Sequence, residues 1–154
     1  MRLNDKGVNL IAEFEGFSDR PYYATKDEKE KGIATIGFGM TFYPNGKKVS
    51  IDDKKITRDT AITYLEQLAD KFSLKVSKLI RKELSTNQFN ALVSLAYNIG
   101  IHQFETSTIL KLVNINPNDA NIAKQFLRWN KQDGKVIDGL TNRRIKESAL
   151  YFTK

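Results

Sequence analysis

Two positions carry the chemistry this chain can be read for. Glu15 is followed at once by Gly16, and Thr35 opens the β-prone, glycine-punctuated run Thr35-Ile36-Gly37-Phe38-Gly39. A carboxyl lodged among apolar groups keeps its proton to higher pH than one in water, which suits a general acid. A carboxyl at a helix end, facing a short sheet across a polar loop, is an arrangement suited to breaking a glycosidic bond. Taken alone, a Glu-Gly pair reads first as a surface glutamate beside a turn, so the elements around it decide its meaning.

Those elements follow from spacing and caps. Asn4 or Asp5 can cap a first helix whose apolar residues Val8, Leu10, Ile11 and Phe14 recur at helical intervals. Gly16 ends it in a left-handed conformation, which fixes Glu15 in the last turn. Asp19 to Lys31 is polar, with the charge run Lys26-Asp27-Glu28-Lys29-Glu30-Lys31, and reads as a solvated loop. Ile33 to Phe38 reads as a strand. Gly37 and Gly39 are not a phosphate loop, because no third glycine follows at the right spacing and no helix opens there; they suit a tight bend. Pro44-Asn45-Gly46 predicts a hairpin between Met40–Tyr43 and Lys47–Ile51, which leaves all the β-structure in the first third. From Thr57 the pattern turns helical. A long helix carries Ala61, Leu65, Leu68, Phe72, Val76 and Leu79 on one face. Ser85 and Gln88 form a capping box before a segment apolar nearly all round, ended by Gly100. Further helices are predicted at Thr106–Val113, at Asn118–Leu127 with Pro117 ahead of it, and at Leu140 to Phe152, the last with Leu140, Ile145, Ala149 and Leu150 toward the core. Lys131 to Lys135 reads as a turn.

The chain's 154 residues suit one domain, 1–154, able to bury its own core without a metal or disulfide. The absence of cysteine excludes a disulfide framework, a thiolate zinc site and a cysteine nucleophile. The formal net charge of +7 favours polyanionic partners such as nucleic acid, anionic lipid or an acidic cell wall, and serves solubility equally well. No apolar run approaches a membrane span, and Met1 to Gly7 lacks the apolar stretch of a signal peptide.

Four segments together resemble the phage-type lysozymes and endolysins, glycoside hydrolase family 24: Phe14–Gly16, Thr35–Thr41 (TIGFGMT), Gln88–Gly100 and Gly139–Tyr151, in that order over nearly the whole chain. Phe126 to Asn130 followed by Gly134 and Lys135 resembles the family's pattern before its last helix. The resemblance implies an α+β, mostly helical fold: a small N-terminal β-hairpin lobe joined by a long helix to a helical lobe, with the cleft between them. It implies hydrolysis of the β-1,4 bond between N-acetylmuramic acid and N-acetylglucosamine in peptidoglycan, without a cofactor or a metal. Carried over by position, Glu15 matches the catalytic acid and Thr35 the threonine that helps place the attacking water.

One departure matters. The family usually has an aspartate nine positions after the acid, and here that position is Ala24, in a loop longer than usual. Either Asp27 takes the aspartate's place or no second carboxylate is present. Inverting glycosidases hold two carboxyls about 6.5–9.5 Å apart around a water; retaining ones hold them about 5–5.5 Å apart. The candidate catalytic residues are therefore Glu15, Thr35 and Asp27, and the candidate substrate-binding residues Tyr22, Gly37, Asn98 and Arg143. Asn98 reads as a cleft-wall amide or a helix-end cap. One of Arg143 and Arg144 is expected to be structural and the other at the surface. Trp129 reads as core rather than sugar platform, and Met40 as hairpin packing.

The resemblance implies a monomeric endolysin with peptidoglycan as its partner. Without a signal or membrane anchor, it would gather in the host cytoplasm and reach the periplasmic wall through a holin-type pore. A wall-binding protein that has lost catalysis is the main rival, with Ala24 in its favour and Glu15 and Thr35 against it. Nucleic-acid binding rests on charge alone, since the basic residues are scattered among acids without a stacking motif. Membrane disruption by the last helix conflicts with the core's need for its apolar face.

Overall fold

The computed structural model describes Met1–Lys154. In chain order its elements are α1 (Asp5–Glu15), β1 (Ser18–Tyr22), α2 (Lys26–Glu30), β2 (Thr35–Gly37), α3 (Arg58–Leu79), α4 (Thr86–Ile99), α5 (Ile101–Glu105), α6 (Thr108–Ile115), α7 (Asn121–Leu127), β3 (Lys131–Gln132), β4 (Lys135–Val136) and α8 (Asp138–Tyr151). They fall into two compact units: Val8–Leu68, and Met1–Gly7 together with Ala69–Lys154. No helix is long and apolar enough to cross a membrane.

In the Val8–Leu68 unit, β1 pairs antiparallel with β2, Ser18 opposite Gly37 and Tyr22 opposite Thr35. β1 has one strand neighbour, so its free edge tolerates Pro21. The stretch expected to be a solvated loop is therefore a strand followed by a short helix. Its charges are solvated, but they are spaced for a helical turn. Thr25 accepts the Glu28 N–H at 3.0 Å, Asp27 and Glu28 occupy the first turn, and Lys31 pairs with Asp27 at 2.9 Å. The Pro44-Asn45-Gly46 turn forms, with Tyr43 N–H donating to Lys47 O at 2.9 Å and Gly46 N–H to Tyr43 O at 2.9 Å. Its flanks make only the Phe42–Lys48 bridge rather than the two strands expected. Ala34, Ile36, Met40 and Val49 form the core here, with Tyr43, Ile56, Tyr64 and Leu68 packed against it.

In the other unit, α4 is the centre: every residue from Phe89 to Ala96 is buried. The Ser85–Gln88 capping box starts it and Gly100, at φ 94°, ends it. The chain re-enters a helix at once as α5. Ser107 caps α6 by accepting the Leu110 N–H at 3.2 Å, so the helix expected at Thr106–Val113 forms two residues later, and the short α5 ahead of it was not expected. α7 begins three residues later than expected. Asn116 and Asp119 take the N–H groups of Asn118 and Asn121 at 3.0 and 2.8 Å, holding that segment in turns. Asp133 and Gly134 both have positive φ, 51° and 78°, and connect β3 to β4 as a two-residue hairpin loop. The β-structure is thus not confined to the first third.

α8 departs most from its apolar pattern. Ile145 is 52% exposed, whereas Arg143, Arg144, Glu147 and Tyr151 are buried. These four share one helical face. Glu147 Oε2 accepts from the Ser94 hydroxyl at 2.5 Å, from Arg143 Nε at 3.3 Å and from Arg144 Nη2 at 3.2 Å. Arg144 Nε lies 2.6 Å from Glu147 Oε1, an ion contact whose angle falls short of a hydrogen bond. Burial pushes the Glu147 carboxyl above its usual range, against the downward pull of Arg144, Arg143 and Ser94. A buried carboxylate shared by two guanidiniums cannot be removed alone without stranding charge. Glu147→Ala is expected to destabilise the fold by about 3–5 kcal/mol, read as a lowered urea midpoint; an unchanged midpoint would contradict this reading.

Candidate active site

Glu15 is placed by the roll of α1. Asn4 accepts the Gly7 N–H at 3.2 Å, and the apolar stripe Val8, Ile11, Ala12 is buried. Glu15 follows Val8 by seven and Ile11 by four, so it falls on the same face at the helix's last turn. Gly16, at φ 67°, then turns the chain out of the helix.

The surface that meets Glu15 is a loop closed by two glycines. Ile36 N–H donates to Met40 O at 2.9 Å and Met40 N–H to Ile36 O at 3.0 Å, leaving Gly37-Phe38-Gly39 as the connection. Gly37 and Gly39 have φ of 65° and 71°. At Gly39 a Cβ would overlap the Glu15 carboxyl, its Oε2 most closely, with Cδ 3.0 Å from that point. The glutamate side chain therefore occupies the space that a side chain at position 39 would fill. Gly37 meets a different demand, since a Cβ there would lie 2.7 Å from Met40 Cε and 3.4 Å from Ala61 Cβ. Phe38 is buried between the Phe17 ring, 5.5 Å between centroids, and the Arg58 guanidinium, 5.6 Å from its own centroid.

Of the residues singled out from the sequence, Glu15, Thr35, Tyr22, Gly37 and Asp27 belong to the Val8–Leu68 unit. Thr35 is buried in β2 opposite Tyr22. The Tyr22 phenol is held above its usual range by burial first and then by the negative charges of Glu15 and Glu28. Asp27 is on α2, 68% exposed at its side chain and paired with Lys31. Gly37 is enclosed by Met40, Ile56 and Ala61. Asn98 and Arg143 belong to the other unit. Asn98 is exposed in the last turn of α4 rather than buried as a wall amide. Arg143 is buried, with Nη2 donating to Ser94 O at 3.2 Å, and Arg144 is buried as well, so neither arginine is the surface residue expected.

The sequence reading missed two features. Gly39 was read only as a bend, because its contact with Glu15 joins residues 24 positions apart. Trp129, read as core, is half-buried and borders a polar groove of about 250 Å³ with Gln103, Thr106, Thr108, Gln125 and Arg128. No cluster of three or more His, Cys, Asp or Glu side chains is placed to hold a metal. The Tyr22 shift reports the Glu15 charge directly. In Glu15→Gln the Tyr22 phenol is expected to titrate at lower pH, still above its usual range because burial and Glu28 remain. Ultraviolet or NMR titration checks this, and an unmoved Tyr22 would separate the two groups.

The phage lysozyme family matches residues 12–147. The endolysin of Salmonella phage P22 is 33% identical over 153 residues, covering 99% of each chain. The endolysin of Bacillus phage PZA is 39% identical over 151 residues, 98% of this chain; the chain spans only 55% of that relative, about half its length. Among solved structures, an endolysin from Escherichia coli O157:H7 phage FAHEc1 superposes with a TM-score of 0.85 at 36% identity, covering 99% of this chain and 94% of that one. The muramidase domain of SpmX from Asticaccaulis excentricus gives 0.84 at 29% identity over 99% of both chains. The mostly helical architecture with small antiparallel sheets is the lysozyme fold, and the chain belongs to the phage lysozyme family.

Proposed function

We propose that this chain hydrolyses the β-1,4 bond between N-acetylmuramic acid and N-acetylglucosamine in bacterial peptidoglycan, as a single catalytic domain. The observation that carries the reading is the Glu15 carboxyl seated against the Gly37-Phe38-Gly39 loop, in a member of the phage lysozyme family. Glu15 is the proton donor. It protonates the glycosidic oxygen as the bond breaks, so that the leaving sugar departs as an alcohol while positive charge develops on the ring it leaves. Thr35, fixed by the β1–β2 pairing beside Tyr22, orients the water that bonds to that ring; the proton the water sheds passes to solvent, from which the Glu15 carboxylate regains its own. Tyr22, Asn98, Arg143 and the backbone at Gly37 remain proposed contributors to glycan binding. Buried Arg143 acts by fixing Glu147, and enclosed Gly37 by shaping the loop.

Asp27 receives a different role. A carboxylate that is 68% exposed, in the first turn of α2 and 2.9 Å from Lys31, is stabilised as a helix residue and stays fully hydrated. The reaction then proceeds without a dedicated carboxylate base from this loop. We further propose that the protein works as a monomer, is held in the host cytoplasm until a holin-type lesion opens, and then meets the periplasmic wall. Its net charge of +7 favours approach to that anionic layer.

Two substitutions test the assignment on purified peptidoglycan, read as reducing ends released. Glu15→Gln keeps the shape and removes the acid, so the rate should fall by about 10²–10⁴-fold with the fold unchanged. A parental rate removes Glu15 from the mechanism. Asp27→Asn should stay within about twofold of the parent, since only a weak surface pair is lost; a tenfold or larger fall would make Asp27 the missing base.

A further inference from the structure

We propose that the groove beside the Pro44-Asn45-Gly46 turn is a second binding site, for an oligosaccharide carrying negative charge. The groove holds about 470 Å³, within the roughly 300–1,000 Å³ typical of ligand sites. Tyr43 and Tyr64 form its apolar wall, ring centroids 5.9 Å apart and inclined by 76°. Tyr43 is held in place before any ligand arrives. Its hydroxyl donates to Asp53 Oδ2 at 2.8 Å, and the same oxygen accepts the Ser50 N–H at 2.9 Å. A wall already fixed loses little freedom on binding.

The charges define the ligand. Asp53 is the only carboxylate lining the groove, and it is engaged by Ser50 and Tyr43. Lys47, Lys54 and Lys55 line the same groove, and none is held in a salt bridge. The Asn45 side-chain Oδ1 accepts the Lys47 N–H at 2.9 Å, which leaves the side-chain NH2 of Asn45, with the Gln67 amide, for a ligand's oxygens. A sugar ring offers an apolar face to tyrosine and hydroxyls to amides, and a carboxylate or phosphate on it meets the ammonium groups. A single-stranded nucleic acid would need a row of aromatic faces for successive bases, whereas this groove offers two rings set edge to face.

The choice of a wall glycan rests on the proposed function; the anionic chemistry does not. The test uses the full-length chain as Glu15→Gln, to prevent cleavage, and follows the Tyr43 and Tyr64 ring signals by NMR. The probes are soluble peptidoglycan strands bearing stem peptides, a glycosylated poly(ribitol phosphate), and an oligothymidylate. Movement of both rings with the first or the second supports the site and names its anion as carboxylate or phosphate. The Lys54→Gln/Lys55→Gln pair should weaken that binding at least tenfold. The same pair in the otherwise unaltered chain should leave the rate on a short soluble glycan unchanged. Rings unmoved by either glycan, affinity unaffected by the lysine changes, or a stronger response to oligothymidylate would each overturn the proposal. The unaltered chain's rate on wall is measured in parallel. If it cleaves while the rings stay still, only this proposal fails; if the rings move and it does not cleave, only the muramidase reading fails.

Discussion

Glu15 and a side chain at position 39 cannot occupy the same space. The glutamate holds it because residue 39 is glycine, which also supplies the positive φ that lets Gly37-Phe38-Gly39 close so tightly. Contacts along α1 and within the loop support that arrangement. The Asn4 cap and the Val8, Ile11, Ala12 stripe set the roll of α1. The Ile36–Met40 bridge closes the loop, and Phe38 anchors it in the core. Packing from α1 and from the glycine loop thus sets where the carboxyl sits. Such a seat suits the proton donor proposed for Glu15.

Much of this was legible in the chain because it is local. The capping box at Ser85, the glycine stops at Gly16 and Gly100, and the long apolar stripe from Ala61 depend on neighbours within one or two turns, and all formed. The misreadings have two physical sources. Local hydrogen bonding that competes with regular structure moved the start of the helix expected at Thr106 to Thr108 and delayed α7. It also made a hairpin of Asp133-Gly134. Tertiary pairing did the rest: α8 buries its arginines because Glu147 and Ser94 meet them there, and no periodicity of apolar residues foretells that.

The Arg143–Arg144–Glu147 group illustrates the limits of reading charge as surface. Two guanidiniums and one carboxylate are costly to bury, and a hydrophobic replacement of similar volume would often be as stable. What the group supplies is directional fixing of α8 against α4 through Ser94, since each donor has one acceptor position. The candidate site's departure at Ala24 is of another kind. The aspartate that the resemblance leads one to expect is missing there, and the nearby Asp27 is committed to α2, so the proposed chemistry rests on Glu15 and Thr35.

The most direct measurement compares two alanine substitutions at glycines with nearly equal backbone demands. Gly39 and Gly32 have φ of 71° and 67°, but only at Gly39 would the new Cβ meet Glu15; at Gly32 nothing lies within 4 Å. Both should cost about 1–2 kcal/mol from the left-handed backbone. Gly39→Ala should, in addition, lower kcat on peptidoglycan at least tenfold, while Gly32→Ala retains the parental rate. Equal activity in the two variants would contradict the account, because it would mean that the seat of the Glu15 carboxyl has no part in the chemistry.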